Sequence, residues 1–135
     1  MTGIVVVSHS RPLAHAAVGL ATQMVRDGGP RVEIAAGLSD TELGTDATAI
    51  SEAIDRAMDD QGVVVLMDLG SAILSAEMAL EFLDPDVAEK VTLSAAPLVE
   101  GLVGAVVTAA SGADRARVAA EAEVASEAKA AQLTG

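Results

Sequence analysis

The chain offers few residues that could do covalent chemistry. Its 135 residues include two histidines and no cysteine, tryptophan or tyrosine, so thiol catalysis, disulfides and thiolate-bound zinc are excluded. His9 stands out by position: it directly follows the apolar run Ile4 to Val7 and precedes a helix start marked by Ser10 and Pro12. An imidazole there sits at the mouth of a buried strand, beside helix N-terminal N–H groups that favour a dianion. The plainer reading is a hydrogen-bonded loop histidine. His15 falls among alanines in the following helix and reads as a partly exposed helix residue.

Asp68 ends a second apolar run, Val63 to Met67. A carboxylate there can accept the Nδ1–H of a neighbouring imidazole and fix the tautomer that leaves Nε2 free to attack phosphorus. It could also cap a helix beginning at Ser71. The loop Gly37 to Thr45 is long for a strand-to-helix connection, and long loops are often functional. Thr45 is a natural N-cap for the helix that follows, Gly70-Ser71 opens the next one, and Gly44 and Gly70 read as turn glycines. Three helix N-termini are therefore expected to face one crevice. Ser10, Arg11, Gly44, Thr45, Gly70 and Ser71 form the candidate phosphate-binding rim around His9 and Asp68.

Several chemistries are missing. There is no GxxxxGK[ST], no GxGxxG after a strand and no GxSxG. Two histidines without a spaced carboxylate partner make a poor metal site. Acidic groups such as Asp59-Asp60 and Glu121, Glu123 and Glu127 read as solvated faces.

These residues need a scaffold, and short Val/Ile-rich runs alternating with helical patterns supply one, the signature of βαβ units around a parallel sheet. Four strands are expected at Ile4 to Val7, Val32 to Ala35, Val63 to Met67 and Val91 to Ser94. The first and third lack polar alternation and belong at the sheet's centre. Helices are expected at Pro12 to Arg26, with Leu13, Ala16, Ala17, Leu20 and Met24 inward; at Asp46 to Met58, with Ile50, Ile54, Ala57 and Met58 inward; at Ser71 to Leu83; and at Leu98 to Ala110. A final Ala-rich helix, about 113 to 132, carries little apolar payload and is expected on the surface or at a subunit contact. Right-handed crossovers favour an open α/β sheet of order 2-1-3-4 with helices on both faces. Ligands bind such sheets beyond the carboxyl ends of the strands, where the order reverses, here between Val7 and Met67.

Composition sets the remaining bounds. Eight Lys and Arg against twenty Asp and Glu give a formal charge of −12, which phosphate backbones and anionic membrane leaflets repel. With Phe82 as the one aromatic, bases and flavins have no ring to stack on. The apolar stretch Ala95 to Ala113 is broken by Pro97, Glu100, Gly101 and Gly104, so no membrane span is expected. The N-terminus carries no basic segment before its apolar run. One domain over residues 1–135, in the cytoplasm, is the expectation.

Four blocks together resemble a known family: Gly3-Ile4-Val5-Val6-Val7-Ser8-His9-Ser10; Leu43-Gly44-Thr45; Val65-Leu66-Met67-Asp68-Leu69-Gly70-Ser71-Ala72 with Glu77; and Ala96-Pro97-Leu98-Val99-Glu100-Gly101. They are similar, in the same order, to DhaM, the phosphotransfer subunits of dihydroxyacetone kinases that use phosphoenolpyruvate instead of ATP. That family is related to the mannose-type enzyme IIA domains of the sugar phosphotransferase system. Ala36, Asp46 and Leu74-Ser75 depart from it, standing where the family commonly has glycine, serine and Met-Asn.

The resemblance implies a parallel α/β fold and a relay. Phosphohistidine HPr would load His9, with Asp68 as its acidic partner. Phospho-His9 would discharge onto ADP held by the DhaL subunit, which phosphorylates dihydroxyacetone bound to DhaK. The chain would hold no cofactor itself; nucleotide and Mg²⁺ would belong to the partner subunit. It also implies a homodimer and, since no HPr-like domain follows, a separate donor. Such a carrier needs a shallow nucleophile that two partners can approach in line, an apolar rim that doubles as a docking surface, and steering toward a basic face on HPr. Two other readings compete. One is a sugar-importing mannose-family enzyme IIA. The other is a receiver-like or regulatory module phosphorylated on Asp68, although Ser8-His9 stands where a receiver needs an acidic pair for Mg²⁺.

Overall fold

Strands made only of apolar residues cannot leave a face in water, and the fold covers both. The computed structural model describes residues 1–135. In chain order the elements are β1 (Gly3–Ser8), α1 (Arg11–Thr22), β2 (Val32–Ala36), α2 (Ala47–Ala57), β3 (Val63–Met67), α3 (Gly70–Glu81), α4 (Pro85–Ala88), β4 (Val91–Leu93), α5 (Leu98–Ala110), α6 (Arg115–Val124) and α7 (Glu127–Thr134). The four strands pair in parallel in the order β2-β1-β3-β4, as the crossover rule requires.

Alternate residues of β1 and β3 feed opposite cores. Ile4, Val6, Val64 and Leu66 pack with α1, α5 and α6 in a cluster of fifteen buried residues, while Val5, Val7, Val63 and Val65 pack with α2 and α3 in a cluster of fourteen. The two faces are equally loaded, which is why neither strand alternates with polar residues. Gly3 lets β1 start close to α2, since a Cβ there would lie 2.0 Å from the Ala57 carbonyl oxygen.

Two helical expectations are corrected. α1 stops at Thr22 rather than Arg26, and its inward residues are Ala14, Ala17 and Ala21, while Leu13, Leu20 and Met24 are 44%, 46% and 55% exposed. Small side chains face the sheet because α1 shares that side with α5 and α6. The Ala-rich C-terminal segment is not one surface helix. It breaks at Ala125-Ser126 into α6 and α7, and Val118 and Ala122 are fully buried. Gly104 lets α6 approach α5 closely: an added Cβ would lie 3.2 Å from the Ala125 Cβ and 3.3 Å from the Glu121 carbonyl oxygen. Burying a valine contributes about 1.5–3 kcal/mol, so α6 is part of the core. Lys129 ties α7 back to α5 through a 2.6 Å ion pair with Glu100. No helix is long and apolar enough to cross a membrane.

Candidate active site

The carboxyl ends of β1 and β3 run side by side, Val7 pairing with Met67, so the residues after each strand meet. The His9 Nδ1 lies 2.9 Å from Asp68 Oδ1. An ionised carboxylate can only accept, so Nδ1 carries the proton and Nε2 presents its lone pair. Asp68 accepts three further hydrogen bonds: from the Ser8 hydroxyl at 2.9 Å, the His9 backbone N–H at 2.9 Å and the Leu69 N–H at 2.7 Å. Burial alone would raise the Asp68 carboxyl. The His9 N–H, the imidazole, the Ser8 hydroxyl and the Leu69 N–H together outweigh it and hold the group below its ordinary value of 3.8. The carboxylate is therefore a fixed anion that orients the ring, and its lone pairs are too fully engaged for it to act as a nucleophile itself.

Nε2 meets the Ser71 hydroxyl at 2.5 Å; with a lone pair on nitrogen, the hydroxyl donates. Ser71 opens α3, whose N-cap Leu69 provides no side-chain bond. The Gly70 and Ser71 N–H groups accordingly donate to no acceptor. The imidazole is 23% exposed and the Asp68 side chain 9%, so the ring reaches the surface while its anchor does not. His9 lines no cavity. The nearest hollow, about 260 Å³, is walled by Asp68, Leu69, Gly70 and Ile73 with Ser94 to Pro97.

The structure sorts the candidate rim residues. Ser71 touches the nucleophile. The Ser10 hydroxyl caps α1 by accepting from the Leu13 N–H. Arg11 turns away from the ring, donating from Nε to the Ala36 carbonyl at 3.0 Å and pairing through Nη1 with Asp40 at 3.1 Å, so it clamps the loop after β2. Gly44, at φ 144°, donates its N–H to the His9 carbonyl at 2.9 Å and brings that loop against the site.

Three expectations fail. Thr45 does not cap α2; Asp46 does, accepting from the Thr48 N–H, and Thr45 instead shares a 2.6 Å hydrogen bond with Ser75. Gly70 has no positive φ and open space where a Cβ would go, so it begins α3 rather than making a turn. Of the three helix starts expected to face the crevice, α1 and α2 are capped by their own side chains, the latter with a carboxylate, and α3 alone is open. His15 lies apart, lining a hollow with Arg11 and β2.

Sequence reasoning missed Ser8. It is fully buried, donates to Asp68 and accepts from the Ser10 N–H at 3.1 Å, joining the carboxylate to the start of α1. A lone hydroxyl ending an otherwise apolar strand was the available signal. Leu38, Leu43, Leu69 and Leu74 stand 53%, 71%, 65% and 69% exposed on the loops and helix that bear the site residues. No group of histidine and carboxylate side chains is placed to hold a metal ion.

Comparison with known proteins bears on this arrangement. The sequence profile of the EIIA-man family, described as the PTS system fructose IIA component, matches residues 3–119. The phosphoryl donor subunit DhaM of the PEP-dependent dihydroxyacetone kinase of Escherichia coli K12 is 50% identical over 135 residues, covering 98% of this chain and 29% of that protein. The chain thus spans under a third of that relative's length. The DhaM subunit of dihydroxyacetone kinase 2 of Listeria innocua is 42% identical over 109 residues, covering 79% of this chain and 85% of its own. Among solved structures, a protein of unknown function, EF1359, superposes with a TM-score of 0.76 at 33% identity over 91% of this chain and 94% of its own. A sigma-54 interaction domain protein from Enterococcus faecalis, 14% identical with a TM-score of 0.70 over 98% and 95%, shares the fold. On the profile match over residues 3–119, the 42% identity across 85% of the Listeria subunit and the wound sheet beneath both, the chain belongs to the EIIA-man family of phosphotransferase-system IIA components, among the DhaM proteins.

Proposed function

We propose that the chain is a phosphocarrier, the phosphotransferase subunit of a phosphoenolpyruvate-dependent dihydroxyacetone kinase. Its His9 takes a phosphoryl group from phosphohistidine HPr and gives it to ADP held on a DhaL subunit, with DhaK binding the dihydroxyacetone. The observation that carries this reading is the ring's polarity: Nδ1–H is fixed by a buried anion, and Nε2 faces the rim.

In the loading step the Nε2 lone pair attacks phosphorus in line, a P–N bond forms, and the donor imidazole leaves with the electrons of its own P–N bond. Asp68 holds the Nδ1 proton throughout and offsets the positive charge that develops on the ring. Ser71 must turn its hydroxyl from Nε2 toward a phosphoryl oxygen, where it and the open N–H groups of α3 offset the charge. Discharge reverses the geometry onto ADP. The chain needs no cofactor of its own, since nucleotide and Mg²⁺ sit on the acceptor. The reading calls for a cytoplasmic homodimer that binds neither nucleic acid nor membrane.

The fructose IIA description of the family favours a second reading, a carrier feeding a sugar transporter. A receiver-like role on Asp68 is disfavoured by the four donors that occupy its oxygens.

Incubation with phosphoenolpyruvate, enzyme I and HPr should label the wild type, with the label lost in acid and kept in alkali. His9→Ala should take none. A His9→Ala protein that still labels, or a label released by hydroxylamine, overturns the assignment. Discharge onto DhaL-bound ADP separates the kinase reading from the sugar reading.

A further inference from the structure

A lone pair that can attack phosphorus can also take a proton, and the group facing it is a hydroxyl. The Ser71 Oγ lies 2.5 Å from the His9 Nε2, and the His9 Nδ1 lies 2.9 Å from the Asp68 Oδ1. The carboxylate is fixed in turn by the Ser8 hydroxyl and two backbone N–H groups. Hydroxyl, imidazole and anchored carboxylate in this succession make a nucleophile, its base and the group that orients the base, an arrangement recognised by geometry and roles rather than by sequence order. The chain's other hydroxyls have different partners: Ser10 accepts from the Leu13 N–H, Ser75 pairs with Thr45 and Ser111 donates to the Thr108 carbonyl.

We propose that Ser71 is an acyl-accepting nucleophile, and that the chain without a phosphoryl group on His9 transfers short, neutral acyl groups from activated esters to water. This activity stands independently of phosphoryl transfer, because there Nε2 attacks and here it serves as the base. Nε2 removes the Oγ proton as Oγ bonds to the carbonyl carbon and the carbonyl electrons move to oxygen. That oxyanion meets the Gly70 and Ser71 N–H groups, which have no acceptor at the start of α3. When the carbonyl re-forms, the bond to the leaving alcohol breaks and the imidazolium gives the alcohol its proton. Water then attacks acyl-Ser71, its proton passing through Nε2 to Oγ, and the carboxylic acid departs. One ester and one water yield one alcohol and one acid.

The surroundings set the substrate class. Ser71 is exposed and the ring partly so, which admits an ester from solvent. The hollow of about 260 Å³ begins at Leu69 and Gly70 and extends to Ile73 and the segment Ala95 to Pro97. Gly70 has open space where a Cβ would go, so it puts no side chain between this hollow and the open N–H groups. The volume falls below the roughly 300 Å³ at which pockets for drug-sized ligands begin, which suits a short acyl chain. Asp68 is its one charged lining residue and disfavours an acidic chain.

The full chain, untreated with any phosphoryl donor, is tested with p-nitrophenyl acetate and with an alkyl fluorophosphonate. The fluorophosphonate should modify Ser71, as located by peptide mass mapping, and the ester should be hydrolysed. Both rates should fall about 100-fold or more in His9→Ala and in Asp68→Asn, with helicity retained by circular dichroism, and Ser71→Ala should take no label. Ser111→Ala should react as the wild type does. Ala95→Trp, which fills the hollow, should raise KM for the ester several-fold. An unlabelled Ser71, modification of the His9 ring or of lysines in its place, an equal rate in His9→Ala, or an unchanged KM in Ala95→Trp would each overturn the proposal.

Discussion

Four donors converge on the two oxygens of Asp68, and that crowding decides how the site answers to change. Asp68→Asn keeps the volume but turns an NH₂ group toward donors that have no other acceptor. Phosphoryl uptake from a labelled donor should slow by about 10- to 100-fold, while His9→Ala removes it. An unchanged rate in Asp68→Asn would show that the carboxylate has no part in orienting the ring. The carboxyl's low native value also fixes a pH signature. Because the unfolded chain recovers the ordinary value of 3.8, it takes up this proton first as pH falls. The contribution is complete above about pH 4 and is lost as pH drops through the native value. Acid unfolding followed by circular dichroism should therefore be less steep in Asp68→Asn below pH 4, with no difference in slope near neutrality.

At the scale of elements, close approaches made possible by glycine and alanine set the packing. Gly3→Ala forces a methyl group onto the Ala57 carbonyl, and overpacking of this kind costs typically 1–3 kcal/mol; urea melts should register the loss without a change in slope. Val118→Ala, on α6, should cost about 1–3 kcal/mol as a core truncation, whereas a surface helix would lose almost nothing. These features also mark where the sequence could be read and where it could not. β1 and β3 were legible because burial on both faces leaves an unbroken apolar run, and the sheet order followed from handedness. The inward face of α1 was not, because Leu13 and Leu20 outweigh Ala14 and Ala21 in any count of hydrophobicity while alanine fits the narrow space. α6 was misread for the same reason. At the site, His9 and Asp68 were legible as polar residues ending buried strands. The displacement of Thr45 by Asp46 as the cap was not, since both residues can serve. Nor was the outward turn of Arg11, which depends on where the Gly37 to Thr45 loop folds back.

For the molecule as a whole, a charge of −12 favours donors with a basic face. Second-order phosphoryl uptake should fall several-fold between about 0.05 and 0.5 M salt as screening shortens the field; a flat salt response would remove steering from the account. The hydrogen bond from Ser71 to Nε2 carries a last consequence at this scale. The ring at rest is latched, its Nε2 lone pair occupied by the Ser71 hydroxyl at the start of α3. On the function proposed above, loading would swing that latch and install a dianion in its place. On that function, vacancy and cargo would be displayed on the surface as different patterns of donors and charge, which a courier arriving full or empty-handed would meet before docking.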